Sequence, residues 1–248
     1  MSAEAVQSAH YDSIVTQYDL HYDDPVSQAY RQRFIHHLMF AGIDMRGKRV
    51  LDGMSGSGQI ARFLSSSGAI VTGLDISAKA IVRFKQRTNS CDAVHASMLH
   101  STFRPETFDC VAVEGGLHHL HPYVQEGICE IHRVLRTGGV FSFMEPPRSP
   151  VLDFIRRIWY RLDPLIAQNE APIDIEEMKR ANASRFEFTS EEYGGNLAYL
   201  FVFNSMLFRI PIRWKSAYAP AMMRLEEALA PVLGRSLSFF VICQWKKR

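Results

Sequence analysis

The stretch Lys48–Ile60 reads KRVLDGMSGSGQI: a short apolar run closes on Asp52, the chain passes through Gly53, Gly56 and Gly58, and a helical pattern follows. A strand that hands its chain to a glycine-rich turn and then to a helix makes a crevice at the carboxyl edge of a parallel sheet. The unpaired N–H groups of the helix's first turn face that crevice. Gly56, Ser57, Gly58 and Ala61 fit G-x-G-x-x-G/A loosely, and Asp75 closes the next apolar run 19 residues after Gly56. An acid at that spacing is placed to accept hydrogen bonds from ribose hydroxyls. The turn therefore predicts a nucleotide-like ligand.

The residues around the turn narrow the ligand class. A triphosphate loop needs Lys-Ser or Lys-Thr after the last glycine, and Gln59-Ile60 stands there instead. A nicotinamide dinucleotide needs its pyrophosphate close to the turn, where Asp52 sets a negative charge. An acid there suits an ammonium or sulfonium better.

From Val50 to Met144, short apolar runs alternate with helix-length amphipathic segments, the pattern of a parallel sheet covered by helices. Arg49 to Asp52, Ile70 to Asp75, Ala93 to Ala96, Cys110 to Glu114 and Val140 to Met144 read as strands. Val124, Ile128, Ile131 and Leu135 put one apolar stripe on a helix, with Gly138 and Gly139 as its stop. Residues 1–45 read as a helical lead-in. After Pro146-Pro147 a helix is expected in which Val151, Phe154, Ile158 and Leu162 share a face, with Arg156, Arg157 and Arg161 solvated. Asp163 to Phe188 reads as a loop with one short helix. Thr189 with Glu192 reads as a capping box before a helix over Tyr193 to Leu207. Leu207 to Trp214 and Leu237 to Trp245 read as two final strands, with a helix near Met222 to Leu233 between them.

Composition bounds the partners. With 47% hydrophobic and 22% charged residues among 248, the chain is an ordinary globular protein with one main domain. Its net charge of +2, from 28 basic and 26 acidic side chains, builds no field that would gather phosphate backbones, so nucleic acid is not expected. The start, MSAEAVQSAHYD, lacks a secretory pattern, which predicts a cytoplasmic protein. The apolar run Leu197 to Phe203 is too short to span a bilayer, and membrane contact is not expected. Cys91, Cys110, Cys129 and Cys243 match no disulfide or metal spacing and read as buried thiols.

VLDGMSGSG, VTGLD, FDCVAVEGGLHHLH and EIHRVLRTGGVFSFMEP, in that order, resemble the successive motifs of class I S-adenosylmethionine-dependent methyltransferases of the small-molecule type. The resemblance implies a Rossmann-like, doubly wound α/β sheet, mostly parallel with a final antiparallel strand. It implies a cofactor core over 46–146, completed by 207–248, with a helical lid over 147–206. S-adenosyl-L-methionine is the implied cofactor. Its methionine part falls to Asp52, Gly53, Met54, Gly56 and Gly58, and its ribose to Asp75 with Ile76. Ser97 and Met98 fall beside the adenine, and Glu114 with Gly115 near the donor methyl. Tyr18, with Tyr11 and Tyr30, is expected to close over the cofactor. Two positions depart from the family: Met54 stands where a turn glycine is usual, with Gly53 expected to take the strain, and Ser97 replaces an acid, with His95 as a substitute.

Methyl transfer is an in-line displacement, so positioning and water exclusion carry much of it, and a base is needed only for a protonated acceptor. His118 and His119, just beyond the fourth strand, are the candidate bases. The run HHLH is not read as a metal site, since adjacent histidines on a turn rarely converge on one ion. The aromatic-rich lid predicts an apolar acceptor pocket. The implied activity is methylation of oxygen or nitrogen on a small apolar or aromatic molecule, in secondary metabolism, by a monomer or homodimer. The rival readings are a methyltransferase-like binding protein without activity and a nicotinamide-dependent oxidoreductase.

Overall fold

The computed structural model describes residues 3–153, 171–203 and 210–248. Seven strands form one sheet: β1 (Arg49–Gly53), β2 (Ile70–Asp75), β3 (Asp92–His95), β4 (Phe108–Glu114), β5 (Leu135–Glu145), β6 (Phe186–Gly194) and β7 (Phe240–Lys247), in the order β3-β2-β1-β4-β5-β7-β6. β1 pairs in parallel with β2 and β4, β2 with β3, and β4 with β5. β7 is antiparallel to both β5 and β6, so β6 runs in the direction of the first five strands and β7 alone is reversed. The doubly wound α/β sheet with a reversed final strand is the one the motifs imply.

The helices are α1 (Ala3–Tyr22), α2 (Pro25–Arg31), α3 (His37–Met39), α4 (Gln59–Ser66), α5 (Ala78–Arg87), α6 (Val124–Val134), α7 (Ile175–Asn182) and α8 (Ile212–Leu233). A π-helical turn, Gln32–His36, joins α2 to α3. Neighbouring strand residues face opposite ways, so Val50 joins a core with Ile60, Leu64 and Phe84, while Leu51 joins another with Ile128, Ile131 and Trp245. Both are fully buried, as a parallel strand covered on two faces requires.

The order reverses between β1 and β4, and the crevice opens there, at the carboxyl ends of the strands. α1 and α2 lie over that edge. Asp12 of α1 accepts from the Ser77 hydroxyl at 2.5 Å and the Lys79 amide at 3.1 Å, and Asp19 meets Arg83 at 2.6 Å. Asp23, just past α1, meets Arg87 at 2.7 Å and also pairs with Arg62.

Several local expectations change. α6 keeps its stripe but ends at Val134, and Gly138 and Gly139 lie inside β5, where the register with β4 shifts between Leu135 and Val140. Gly138 takes φ +76° there, so the pair makes an irregular strand start rather than a helix stop. Thr189 and Glu192 belong to β6, and the Thr189 hydroxyl donates to the Gln244 carbonyl at 2.8 Å instead of capping a helix. Trp214 is helical, within α8, and the sixth strand comes earlier, from 186–194 of the expected lid. The segment 147–206 is therefore only partly helical. Arg156, Arg157 and Arg161 lie outside the described residues. Cys110 and Cys243 are buried free thiols, whereas Cys91 and Cys129 are half-buried.

α8 is tied to α2 by a buried ion pair. Lys215 Nζ reaches Asp24 Oδ2 at 2.6 Å and the Ser27 hydroxyl at 2.5 Å, while Asp24 caps α2 through the Val26 and Ser27 amides. Removing one partner strands the other charge away from water, at a cost of about 3 kcal/mol. Lys215→Ala should lower the urea-unfolding free energy by about that amount; a loss under ~1 kcal/mol would show that the pair is not shielded as described.

Candidate active site

The turn after β1 contains three left-handed residues, Met54 (φ +59°), Gly56 (+51°) and Gly58 (+84°). Gly53 does not take the strain. A Cβ on Gly53 would stand 3.1 Å from Met98 Sδ, so this glycine allows close packing instead. Met54 itself accepts a conformation that costs an L-residue about 1–2 kcal/mol. Its side chain packs over Gly116, where an added Cβ would meet Met54 Sδ at 2.8 Å.

Backbone amides fasten the turn to β2. Ser55 N–H donates to the Leu74 carbonyl at 2.9 Å, and Gly56 N–H to Asp75 Oδ2 at 2.8 Å. Asp75 Oδ1 takes the Ser77 amide at 2.8 Å, and Asp52 Oδ2 takes the Ala61 amide of α4 at 3.2 Å.

The crevice is walled by Asp52 and the turn, by Asp75 and Ile76, by Ser97 and Met98, and by Glu114 to Gly116, with His119 and Leu120 beyond. Gln7, Tyr11, Ile14 and Val15 of α1 cover it, and Arg31 of α2 reaches in. Ten of the residues expected at the site therefore meet here: Asp52, Met54, Gly56, Asp75, Ile76, Ser97, Met98, Glu114, Gly115 and His119. Gly53 and Gly58 lie behind the wall; a Cβ on Gly58 would strike Thr88 at 2.8 Å and Phe84 at 2.9 Å. His118 also stands behind it, its Nδ1 2.7 Å from Glu145 Oε2. Tyr18 falls within α1, and its side chain is outside what the structure describes. Tyr30 is absent from the wall: it stacks on Phe34 and Phe203, and its hydroxyl donates to Glu226. His95 is engaged elsewhere, with Nε2 2.9 Å from the Ile76 carbonyl.

Burial sets the electrostatics. Desolvation, with Glu114 nearby, pushes the Asp52 carboxyl well above the usual carboxylate range, against the pull of the Ala61 amide. Desolvation raises Asp75 as well, although the Ser77 and Gly56 amides oppose it. Burial would raise Glu114 too, but Arg31 Nε at 2.8 Å and His36 Nε2 at 2.9 Å outweigh it, and Glu114 lies below its ordinary value. His36 is itself lowered by burial, partly offset by Glu114.

Polar atoms in the wall await partners. Ser55 Oγ, Ser57 Oγ and Gln59 Nε2 are buried without a hydrogen bond among the described residues. Such groups cost about 1–3 kcal/mol each when unpaired. Together with a desolvated carboxyl, they suit a polar ligand bearing a positive charge. Among the described residues no three His, Cys, Asp or Glu side chains are grouped to hold a metal ion.

Arg31 and Glu145 were not singled out from the sequence. Arg31 sits in AYRQRF among arginines that carry no distinguishing pattern. Glu145 carries a readable signal, because it closes an apolar run just as Asp75 and Glu114 close theirs.

Residues 51–143 match the family described as a methyltransferase domain. An uncharacterized methyltransferase of Synechocystis is 37% identical over 100 residues, covering 40% of this chain and 47% of that protein. The demethylmenaquinone methyltransferase of Chlorobaculum parvum is 27% identical over 148 residues, covering 52% of this chain and 61% of that one. The chain thus spans about half to three-fifths of these relatives. The crystal structure of magnesium protoporphyrin IX methyltransferase from Synechocystis, with bound SAH, superposes with a TM-score of 0.68 at 12% identity, covering 98% of this chain and 99% of that one. That likeness concerns the fold. Residues 51–143 thus carry a methyltransferase-like domain, and the strand order and crevice are those of the Rossmann-like methyltransferase fold.

A carboxyl held above its unfolded value favours folding only below the unfolded pKa, near 3.9, and that contribution is lost as pH rises through the folded value. At pH 8 Asp52 should therefore destabilise the ligand-free protein. Asp52→Asn should raise the melting temperature at pH 8 by a few degrees, with the gain shrinking toward pH 4; a variant that melts below wild type at pH 8 would contradict this.

Proposed function

We propose that the chain is an S-adenosylmethionine-dependent methyltransferase acting on oxygen or nitrogen of a small, largely apolar or aromatic molecule. The observation that carries the reading is the crevice at the β1/β4 switch, where a desolvated Asp52 faces unpartnered polar atoms. In this reading Asp52 and the Ser55 to Ser57 turn hold the amino-acid end of the cofactor. Arg31, the single Lys or Arg among the described wall residues, is the counter-charge for its carboxylate. Asp75 and Ile76 take the ribose, and Ser97 with buried Met98 takes the adenine. When bound, the cofactor supplies an electrophilic methyl group on a sulfonium. α1 excludes water through Tyr11, Ile14 and Val15.

The acceptor then enters beside Glu114, Gly115 and His119. Support comes from the segment after β5, which returns there: the Ala171 amide comes 3.5 Å from the His118 carbonyl. We assign 46–146 with 207–248 to the cofactor core, and 147–206 to the acceptor side. A relative named for demethylmenaquinone accords with an apolar acceptor. Among the described residues no helix is long and apolar enough to cross a membrane, and a cytoplasmic role in secondary metabolism is the setting we assign. The nicotinamide reading loses ground, because Asp52 and Glu114 would face a pyrophosphate.

Calorimetric titration with S-adenosylhomocysteine tests the reading. Wild type should bind in the micromolar range, and Asp75→Ala should weaken binding about 10- to 150-fold, equivalent to ~1.5–3 kcal/mol. Incubation with methyl-labelled cofactor and a panel of phenols, quinols and aromatic amines should then label apolar acceptors. No binding by wild type would sink the proposal, and binding without transfer to any acceptor would favour the inactive binding protein.

A further inference from the structure

Met54 holds a backbone conformation that glycine adopts freely, so the chain keeps a side chain there against a steric cost. Its φ of +59° is left-handed, and among the described non-glycine residues only Glu106 shares that region. Strain of this kind persists where the surroundings over-determine it, and such residues cluster at active sites and ligand clamps. The surroundings of Met54 are specific. A Cβ added to Gly116 would stand 2.8 Å from Met54 Sδ, 3.1 Å from Met54 Cβ and 2.8 Å from Val113 Cγ1, so Gly116 is bare where the thioether lies across it. Gly115 next to it is open by contrast, since the nearest described atom to an added Cβ is His118 Cε1 at 3.8 Å. The Met54 side chain therefore bridges the turn after β1 and the end of β4. Met54, Glu114, Gly115, Gly116 and Leu120 all line the crevice, and Met54 packs at the margin of the core that holds Met98, Leu117 and Leu120.

We propose that Met54 determines acceptor specificity: its side chain is the stop that limits how deeply an acceptor enters beside Glu114 and Gly115, and it selects a single flat aromatic ring carrying the accepting hydroxyl or amino group. The proposal rests on the methyltransferase reading. A thioether is apolar and polarisable, and its sulfur makes favourable contacts at the edge of an aromatic ring that a saturated chain does not offer in return. Glycine at position 54 would relieve the strain and also open the space above Gly116 and Val113. A second fused ring would then have room. The expected discrimination is large, because a single methylene in an apolar pocket already separates substrates about 10- to 200-fold. Met54 is thus retained for its bulk and its sulfur, at the one place where the turn and the acceptor side meet.

Titration of wild type with S-adenosylhomocysteine comes first, and absence of binding overturns the underlying reading together with this proposal. Wild type, Met54→Gly and Met54→Leu are then compared with methyl-labelled S-adenosylmethionine on phenol and aniline against naphthol and aminonaphthalene. Met54→Gly should raise the ratio of kcat/KM for two-ring over one-ring acceptors at least about 10-fold, while Met54→Leu, which keeps the bulk, should hold it within about 3-fold of wild type. The ratio cancels any change in folding or cofactor affinity common to both acceptors. A second measurement needs no turnover. In wild type carrying carbon-13 methyl-labelled methionine and saturated with S-adenosylhomocysteine, phenol should move upfield the one methyl resonance that Met54→Leu lacks. Where Met54→Gly does not fold, or none of the four acceptors is methylated, this resonance decides. An unchanged ratio in Met54→Gly, or a Met54 methyl that phenol leaves unmoved in the saturated protein, would overturn the proposal while leaving the methyltransferase reading in place.

Discussion

The site depends on two carboxylates being buried in one crevice by neighbouring parallel strands. Asp52 lies near the end of β1 opposite Ala112 of β4, Glu114 ends β4 two residues further on, and the burial that makes the crevice useful penalises both charges. The two are not treated alike. Glu114 has Arg31 and His36 against it and stays ionised, while Asp52 has one backbone amide and the opposing field of its neighbour. That asymmetry leaves Asp52 as the group with most to gain from a cation. The N-terminal helices follow from it, because Arg31 and His36 must be delivered over the sheet edge. The Asp24–Lys215 pair fixes the helix that delivers Arg31.

Much of the core was legible because its signals are local and steric. The apolar runs of β1, β2, β4 and β5 end in acids, and the glycines of KRVLDGMSGSG lie where the chain turns sharply. Gly58 illustrates the limit of such reading. Its place in the motif suggests a ligand contact, yet its missing side chain makes room for Phe84 and Thr88. Spacing shows that a glycine is required, while only packing shows which neighbour requires it. Met54 teaches the converse, since a residue that breaks the turn rule is accommodated by its own contact with Gly116 rather than by the adjacent glycine.

What sequence reasoning missed is mostly tertiary. Gly138-Gly139 stop a helix in most contexts, but here Leu135 already pairs with Phe108 of β4, which takes the chain over four residues earlier. Thr189 and Glu192 have capping-box spacing, and their alternation suits an edge strand equally well; pairing with β7 decides it. Arg31 and Gln7 reach the crevice from helices whose register over the sheet no periodicity reveals, whereas Tyr11 lines it as expected.

The cover of the crevice is fastened in a different currency from its floor. β1 and β4 are held by apolar packing that hardly senses dissolved ions, whereas α1 and the loop after it are held in part by Asp19 and Asp23 against Arg83, Arg87 and Arg62. These partly exposed pairs are worth about 1 kcal/mol or less each, and salt screens them. The cover thus rests partly on charge pairs that dissolved salt screens, while the sheet beneath rests on apolar packing.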